Sequence, residues 1–145
     1  MYVCGIDAAV DVVGGKWKPM ILWALYEHGT LRFGRLRREL DGVTEKVLVQ
    51  QLKEMEADGI VHREVYREVP PRVEYSMTEL GRKLNTALMP LGEWGDTFME
   101  QIVANKKRAA EEAAVKDSQK DGPVRPVRPV RRATTTAKTV RPYAT

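Results

Sequence analysis

Apolar residues recur along the first hundred positions with two different periods, and the change of period divides the chain into elements. Ile6 to Val13 reads as a short apolar helix ended by Gly14–Gly15. Trp17, Met20, Ile21, Ala24, Leu25 and His28 return at helical spacing, with Pro19 tolerated in the first turn and Gly29 closing the segment. Leu31–Arg32 reads as a short strand, and Phe33, Leu36 and Leu40 mark a third helix. Asp41–Gly42–Val43 is a tight turn in which glycine supplies a positive φ. Thr44 caps the next helix, whose buried stripe is Val47, Leu48, Leu52 and Met55, and Asp58–Gly59 stops it.

From Ile60 to Met77 the period falls to two. Val61, Arg63, Val65 and Arg67 alternate with His62, Glu64 and Tyr66, and Arg72 to Met77 forms a second run beyond Pro70–Pro71. Two alternating runs around a proline pair predict a hairpin with an exposed tip. A long final helix begins near Thr78, with Ser76 and Glu79 as a competing capping box. Leu80, Leu84, Ala87, Leu91, Trp94 and Phe98 step by four and three residues, a heptad-like seam, while Pro90 should kink or split the helix. Leu84, Leu91, Trp94 and Phe98 are more apolar than a lone surface helix needs, so they are expected at a homodimer interface. The fold class is therefore mainly α with a small β-hairpin, a winged helix-turn-helix.

That order of elements makes 33–40 the supporting helix and 44–58 the one that enters a DNA major groove. With Leu48, Leu52 and Met55 inward, its outer face is Glu45, Lys46, Val49, Gln50 and Lys53, beginning beside Thr44. Lys46 can reach guanine acceptors, Gln50 can pair with adenine, and the Val49 methyls can touch thymine. On the helical pattern alone, a solvated amphipathic helix in a plain helical domain explains these residues equally well. The hairpin shifts the balance, because Arg63, Arg67 and Arg72 sit on or beside it, well placed for phosphates or a minor groove. Glu64, Glu68 and Glu74 interleave with them, as they would on any solvated hairpin. Arg32, Arg35, Arg37 and Arg38 cluster around the supporting helix, each by itself an ordinary surface charge.

Composition adds a division of charge. The 145 residues carry a formal net charge of +4, but 1–105 hold 13 basic and 16 acidic residues, net −3, and 106–145 hold 11 basic and 4 acidic, net +7. The basic excess is thus no evidence about the folded part. Residues 1–105 are expected to be the DNA-binding and dimerisation domain and 106–145 a basic tail. Lys106 to Gly122 can prolong the last helix, but the threefold Pro-Val-Arg repeat that follows favours an extended chain, so 118–145 are expected to be disordered. The tail reads as an inert solubilising segment, a non-specific DNA tether, or a proline-rich peptide for another protein.

Several classes fall away. The longest apolar run, Met20 to Tyr26, is far short of a membrane span, and the N-terminus lacks the pattern of a secretory signal. A single cysteine excludes an internal disulfide and a Cys-rich zinc site, and fits a cytoplasmic protein, here expected at the nucleoid. No metal or cofactor is implied. His28 and His62 lie at element ends and read as structural or exposed, and Gly15–Lys16 lacks the first glycine and the Ser or Thr of a phosphate loop. No catalytic triad or paired-carboxylate spacing stands out, so the chain is not expected to be an enzyme. Trp17, Trp23 and Trp94 read as core or dimer contacts rather than a ligand cage.

The stretches GGKWKPMILWAL, LRFGRLRREL, VTEKVLVQQLKEMEADGIVHREVYREVPPRVEYSMTELGRKL and LGEW resemble the HxlR-type family of bacterial winged-helix regulators, from about Cys4 to Trp94. The block GKW…LRF…VPPRVEY-x-x-T-x-x-G is quite specific to that family. The resemblance implies a homodimeric transcription regulator, often a repressor, whose first and last helices make the dimer. It also implies sensing of electrophiles or oxidants by an N-terminal cysteine. Cys4 matches that cysteine in place, although Gly5 follows it where proline is frequent in the family. Amides at the helix start favour a thiolate, and Lys16 and Lys18 can approach if the first helix folds back, while Asp7 and Asp11 oppose it. A lone cytosolic cysteine is otherwise usually inert. The partners expected are double-stranded DNA with a roughly palindromic operator, a second copy of the chain, and a small electrophile or oxidant. The alternatives are a winged-helix protein–protein adaptor, favoured by the net −3 core, and a regulator that binds a small molecule in the dimer crevice.

Overall fold

A computed structural model describes residues 1–120. The elements are α1 (Gly5–Val13), α2 (Trp17–His28), β1 (Leu31–Arg32), α3 (Phe33–Glu39), α4 (Glu45–Ala57), β2 (Val61–Tyr66), β3 (Arg72–Met77) and α5 (Glu79–Lys120). The chain divides into two units, Met1–Met99 and a second from Glu100 onward.

The first unit is a winged helix. Ile21, Leu22 and Leu25 of α2, Leu36 of α3 and Leu48, Leu52 and Met55 of α4 bury one face of each helix in a common core. Each such side chain contributes about 1.5–3 kcal/mol relative to exposure. Leu31, Val61 and Tyr75 close the core from the sheet, whose antiparallel order is β1-β3-β2. Register pairs Leu31 with Tyr75 and Val61 with Met77. The turn between α3 and α4 depends on Gly42, whose φ of 82° other residues rarely adopt. Thr44 caps α4, its Oγ1 accepting from the Val47 amide at 3.2 Å.

Three expectations need correction, and one pair of alternatives is resolved. Val47 is not in the buried stripe: it is 36% exposed, because it lies one residue, or about 100° of helix, from the fully buried Leu48. Thr78, not Ser76, caps α5, accepting from the Gly81 amide at 3.0 Å while its hydroxyl donates to the Gly59 carbonyl at 2.6 Å. Pro90 does not split α5, which passes through it unbroken. One missing hydrogen bond is a local cost of about 3 kcal/mol that a helix of 42 residues absorbs. Ser118 to Lys120 are helical rather than disordered, since α5 runs through the expected boundary at 105/106 to Lys120. The Pro-Val-Arg repeat lies outside the described residues.

Candidate nucleic-acid interface

Helix α4 turns Glu45, Lys46, Val49, Gln50 and Lys53 to solvent, as its periodicity requires, and the first four border one shallow hollow. Thr44 precedes them with its hydroxyl oxygen engaged in the cap. Two contacts orient this face. Arg37 of α3 donates to Glu45 at 3.2 Å, tying the supporting helix to α4. Gln50 Nε2 donates to Glu54 Oε1 at 2.9 Å, and Glu54 Oε2 meets Lys18 Nζ of α2 at 2.8 Å. The hydrogen bond from Lys18, then the one from Gln50, then the Lys18 charge hold the Glu54 carboxyl below its ordinary pKa. Lys18 is buried, and the Glu54 carboxylate is its partner there.

The hairpin pairs its charges between residues close in sequence. Glu64 accepts from His62 at 2.8 Å, and Glu68 and Glu74 are both held by Arg72 at 2.9 Å. Arg63 and Arg67 are exposed and form no ion pair with another described residue. The interleaved glutamates therefore do not neutralise them. Arg72 departs from its expected place among the solvent-facing cations: its side chain is 25% exposed and already carries two carboxylates. Around α3, Arg35 pairs with Glu39 and Arg37 with Glu45, leaving Arg32 and Arg38 as exposed cations beside a second hollow that Gly34 and Glu74 also line.

The expected dimer residues separate into two groups. Leu84 packs on the core of its own chain, whereas Leu91, Trp94 and Phe98 are 63%, 54% and 41% exposed. The Trp94 and Phe98 rings meet at a 45° tilt with centroids 5.6 Å apart. α1 adds Ile6 and Val10, both exposed, and buries none of its residues. Tyr26, not singled out from the sequence, is exposed beside Trp23, with centroids 5.7 Å apart. The available signal was that α2 is apolar on both faces, which a helix with one buried side does not need. Between α2 and α5 a cleft of about 620 Å³ runs over Met20, Trp23, Leu88 and Met89, with Glu27 and Glu93 among its lining carboxylates.

Cys4 is exposed and occupies the N-cap position of α1, its carbonyl accepting from the Ala8 amide at 3.2 Å. Two aspartates fold the segment around it: Asp7 accepts from the Val3 amide at 3.0 Å and Asp11 from the Tyr2 hydroxyl at 2.6 Å. The Asp11 bond, and after it the Asp11 charge, raises the Tyr2 pKa. The approach of Lys16 and Lys18 to Cys4 is not found, since Lys18 is held by Glu54 and Lys16 lies over the Trp17 ring at 4.6 Å. Both histidines sit in pairs with glutamate, His28 with Glu39 and His62 with Glu64. Among the described residues no helix is long and apolar enough to cross a membrane.

Known proteins share this arrangement. The HTH-type transcriptional regulator YdeP of Bacillus subtilis is 41% identical over 110 residues, 76% of this chain and 84% of its own. The structure of the redox regulator HypR in its oxidized form superposes with a TM-score of 0.61 at 47% identity, covering 65% of this chain and 96% of that one. Diamide-treated YodB from B. subtilis gives 0.57 at 30% identity over 68% and 97% of the two chains. Residues 12–103 match the family described as HxlR-like helix-turn-helix, a span that holds the helix-turn-helix, the wing and the start of α5 but not Cys4. The chain belongs to the HxlR-like helix-turn-helix family.

Proposed function

We propose that this chain is a sequence-specific DNA-binding transcriptional regulator, a cytoplasmic repressor that acts by occluding an operator. The observation that carries this reading is the outer face of α4, where Lys46, Val49 and Gln50 stand exposed on a helix tied to α3 by Arg37–Glu45 and to α2 by Lys18–Glu54. Lys53, Arg32, Arg63 and Arg67 supply exposed cations for phosphates. Membership of the family and the names of its relatives support the same class. A promoter fragment and a random duplex, titrated at two salt concentrations, test it. Stronger binding to the promoter fragment at both is the expected outcome, and equal affinity at both contradicts it.

The regulator works as a homodimer. Leu91, Trp94 and Phe98 of α5, and Ile6 and Val10 of α1, are exposed apolar side chains that a second copy can cover. Two-fold symmetry then sets two α4 helices against one palindromic site. Cys4 tunes this assembly. An oxidant such as diamide takes two electrons and two protons from two Cys4 thiols, one per protomer, leaving a disulfide between them. That bond rotates one recognition helix against the other and spoils the half-site spacing. Exposure of Cys4 and the redox description of HypR support this part of the reading. A second ligand route is favoured by the cleft between α2 and α5, which is large enough for a small organic molecule.

A further inference from the structure

Arg72 lies opposite Tyr66 in the hairpin register, at the point where the strands open into the tip. Its guanidinium carbon sits 3.9 Å from the centroid of the Tyr66 ring. Nη2 donates to Glu68 Oε1 and Nη1 donates to Glu74 Oε1, each at 2.9 Å. The Glu68 amide in turn donates to the Tyr66 carbonyl at 2.9 Å. Nε is buried and, among the described residues, has no hydrogen-bond partner. One side chain thus touches the end of β2, the tip and the middle of β3. With both Nη atoms committed to carboxylates and Nε buried, Arg72 can offer phosphate a two-pronged contact only by giving up one of them.

We infer that Arg72 is a positioning residue of the wing: it braces the tip internally so that its neighbour Arg67 is held out toward the DNA backbone. The inference rests on the DNA-binding reading above. It makes a prediction opposite in sign to surface electrostatics. Removing a negative charge near bound DNA ordinarily tightens binding. If Glu68 serves the brace, Glu68→Gln weakens binding instead, because the tip is loosened. The planar fork also matters, so Arg72→Lys, which keeps the charge, fails to restore the wing.

The experiment uses the full chain and a 30-base-pair duplex of random sequence, with affinity measured across a salt series. Arg72→Ala, Arg72→Lys and Glu68→Gln are each expected to weaken binding about threefold to fivefold, the range of an exposed ion-pair network. The salt slope should stay unchanged for these variants, whereas Arg67→Ala makes it shallower by about 0.9. In the free protein, amide exchange over 63–73 should speed up in all three brace variants. Tighter binding by Glu68→Gln, full function of Arg72→Lys, or a slope lost with Arg72→Ala would overturn the inference and make Arg72 a direct phosphate contact. Wild-type protein that binds no duplex even at low salt overturns the DNA-binding reading itself. Unchanged exchange over 63–73 in the variants overturns the brace independently of DNA.

Discussion

Replacing Gly81 with alanine should destabilise the winged helix, although the same change in an open helix stabilises it by about 0.5–1 kcal/mol. Gly81 lies in the first turn of α5, pressed against the turn that joins α4 to β2. A methyl group there meets the backbone of Ile60, 3.0 Å from its carbonyl carbon and 3.4 Å from its Cα, with the carbonyl oxygen closer still. Ile60 cannot step aside. It is 1% exposed, its amide donates to the Met55 carbonyl at 3.0 Å, and its carbonyl accepts from the Thr78 amide at 3.2 Å. Relief therefore requires α5 to lift, which strains the bonds from Thr78 to Ile60 and from Thr78 to Gly59. Overpacking costs about 1–3 kcal/mol, and each lost hydrogen bond about 0.5–1.5 kcal/mol. Less the helix gain, the net loss is about 1–5 kcal/mol, with a centre of about 3 kcal/mol, or roughly 12–24 °C in Tm at that centre for a domain of this size. Urea and thermal unfolding followed by circular dichroism, at one protein concentration, measure it. Gly92→Ala is the control, because its methyl meets nothing within 4 Å. A Gly81→Ala protein as stable as wild type would refute the reasoning.

Lys46→Ala should cost about 1–3 kcal/mol on a specific site and little on random DNA, whereas Arg67→Ala weakens both alike; gel shifts on the two duplexes compare them. Trp94→Ala should weaken self-association, by about 3–5 kcal/mol if the indole is fully covered, and a wild-type protein that sediments as a stable monomer at micromolar concentration contradicts the dimer. Because folding lowers the pKa of Glu54, its pairing with Lys18 contributes fully above the ordinary carboxylate value and is lost as pH falls through the lowered one. Glu54→Gln should accordingly flatten the acid side of the stability profile, and an unchanged profile would show that the pair contributes nothing. Diamide or a quinone should release wild-type protein from DNA but not Cys4→Ser, and identical titrations of the two would remove Cys4 from the mechanism.

The helix-turn-helix was legible because local signals agreed. The Thr44 cap, the Gly42 turn and the Leu48–Leu52–Met55 stripe each depend on residues close in sequence. The partner of Arg72 was not legible in the same way. Arginines and glutamates alternate along the hairpin, so each arginine has a glutamate close by in sequence, and only the folded tip decides that Arg72 takes Glu68 and Glu74 while Arg63 and Arg67 pair with no described residue. The seam of α5 shows a similar limit. Leu84 and Leu91 share one heptad pattern, yet Leu84 meets the core while Leu91 faces solvent. The pattern shows that both want burial and is silent on whether the cover comes from the same chain. The buried Lys18 was unexpected because its partner Glu54 lies on another helix 36 positions away in the sequence.

The central claim is that α4 of a two-fold dimer reads a base sequence. Selection of bound duplexes from a random pool by the purified full chain, at physiological salt, tests it most directly. The expected result is an enriched inverted repeat with half-sites about one DNA turn apart, or a multiple of that, whose enrichment is lost with Lys46→Ala. A pool that stays random under selection, with wild-type protein binding every duplex equally or none, would contradict it and favour an adaptor that uses the same fold without reading DNA.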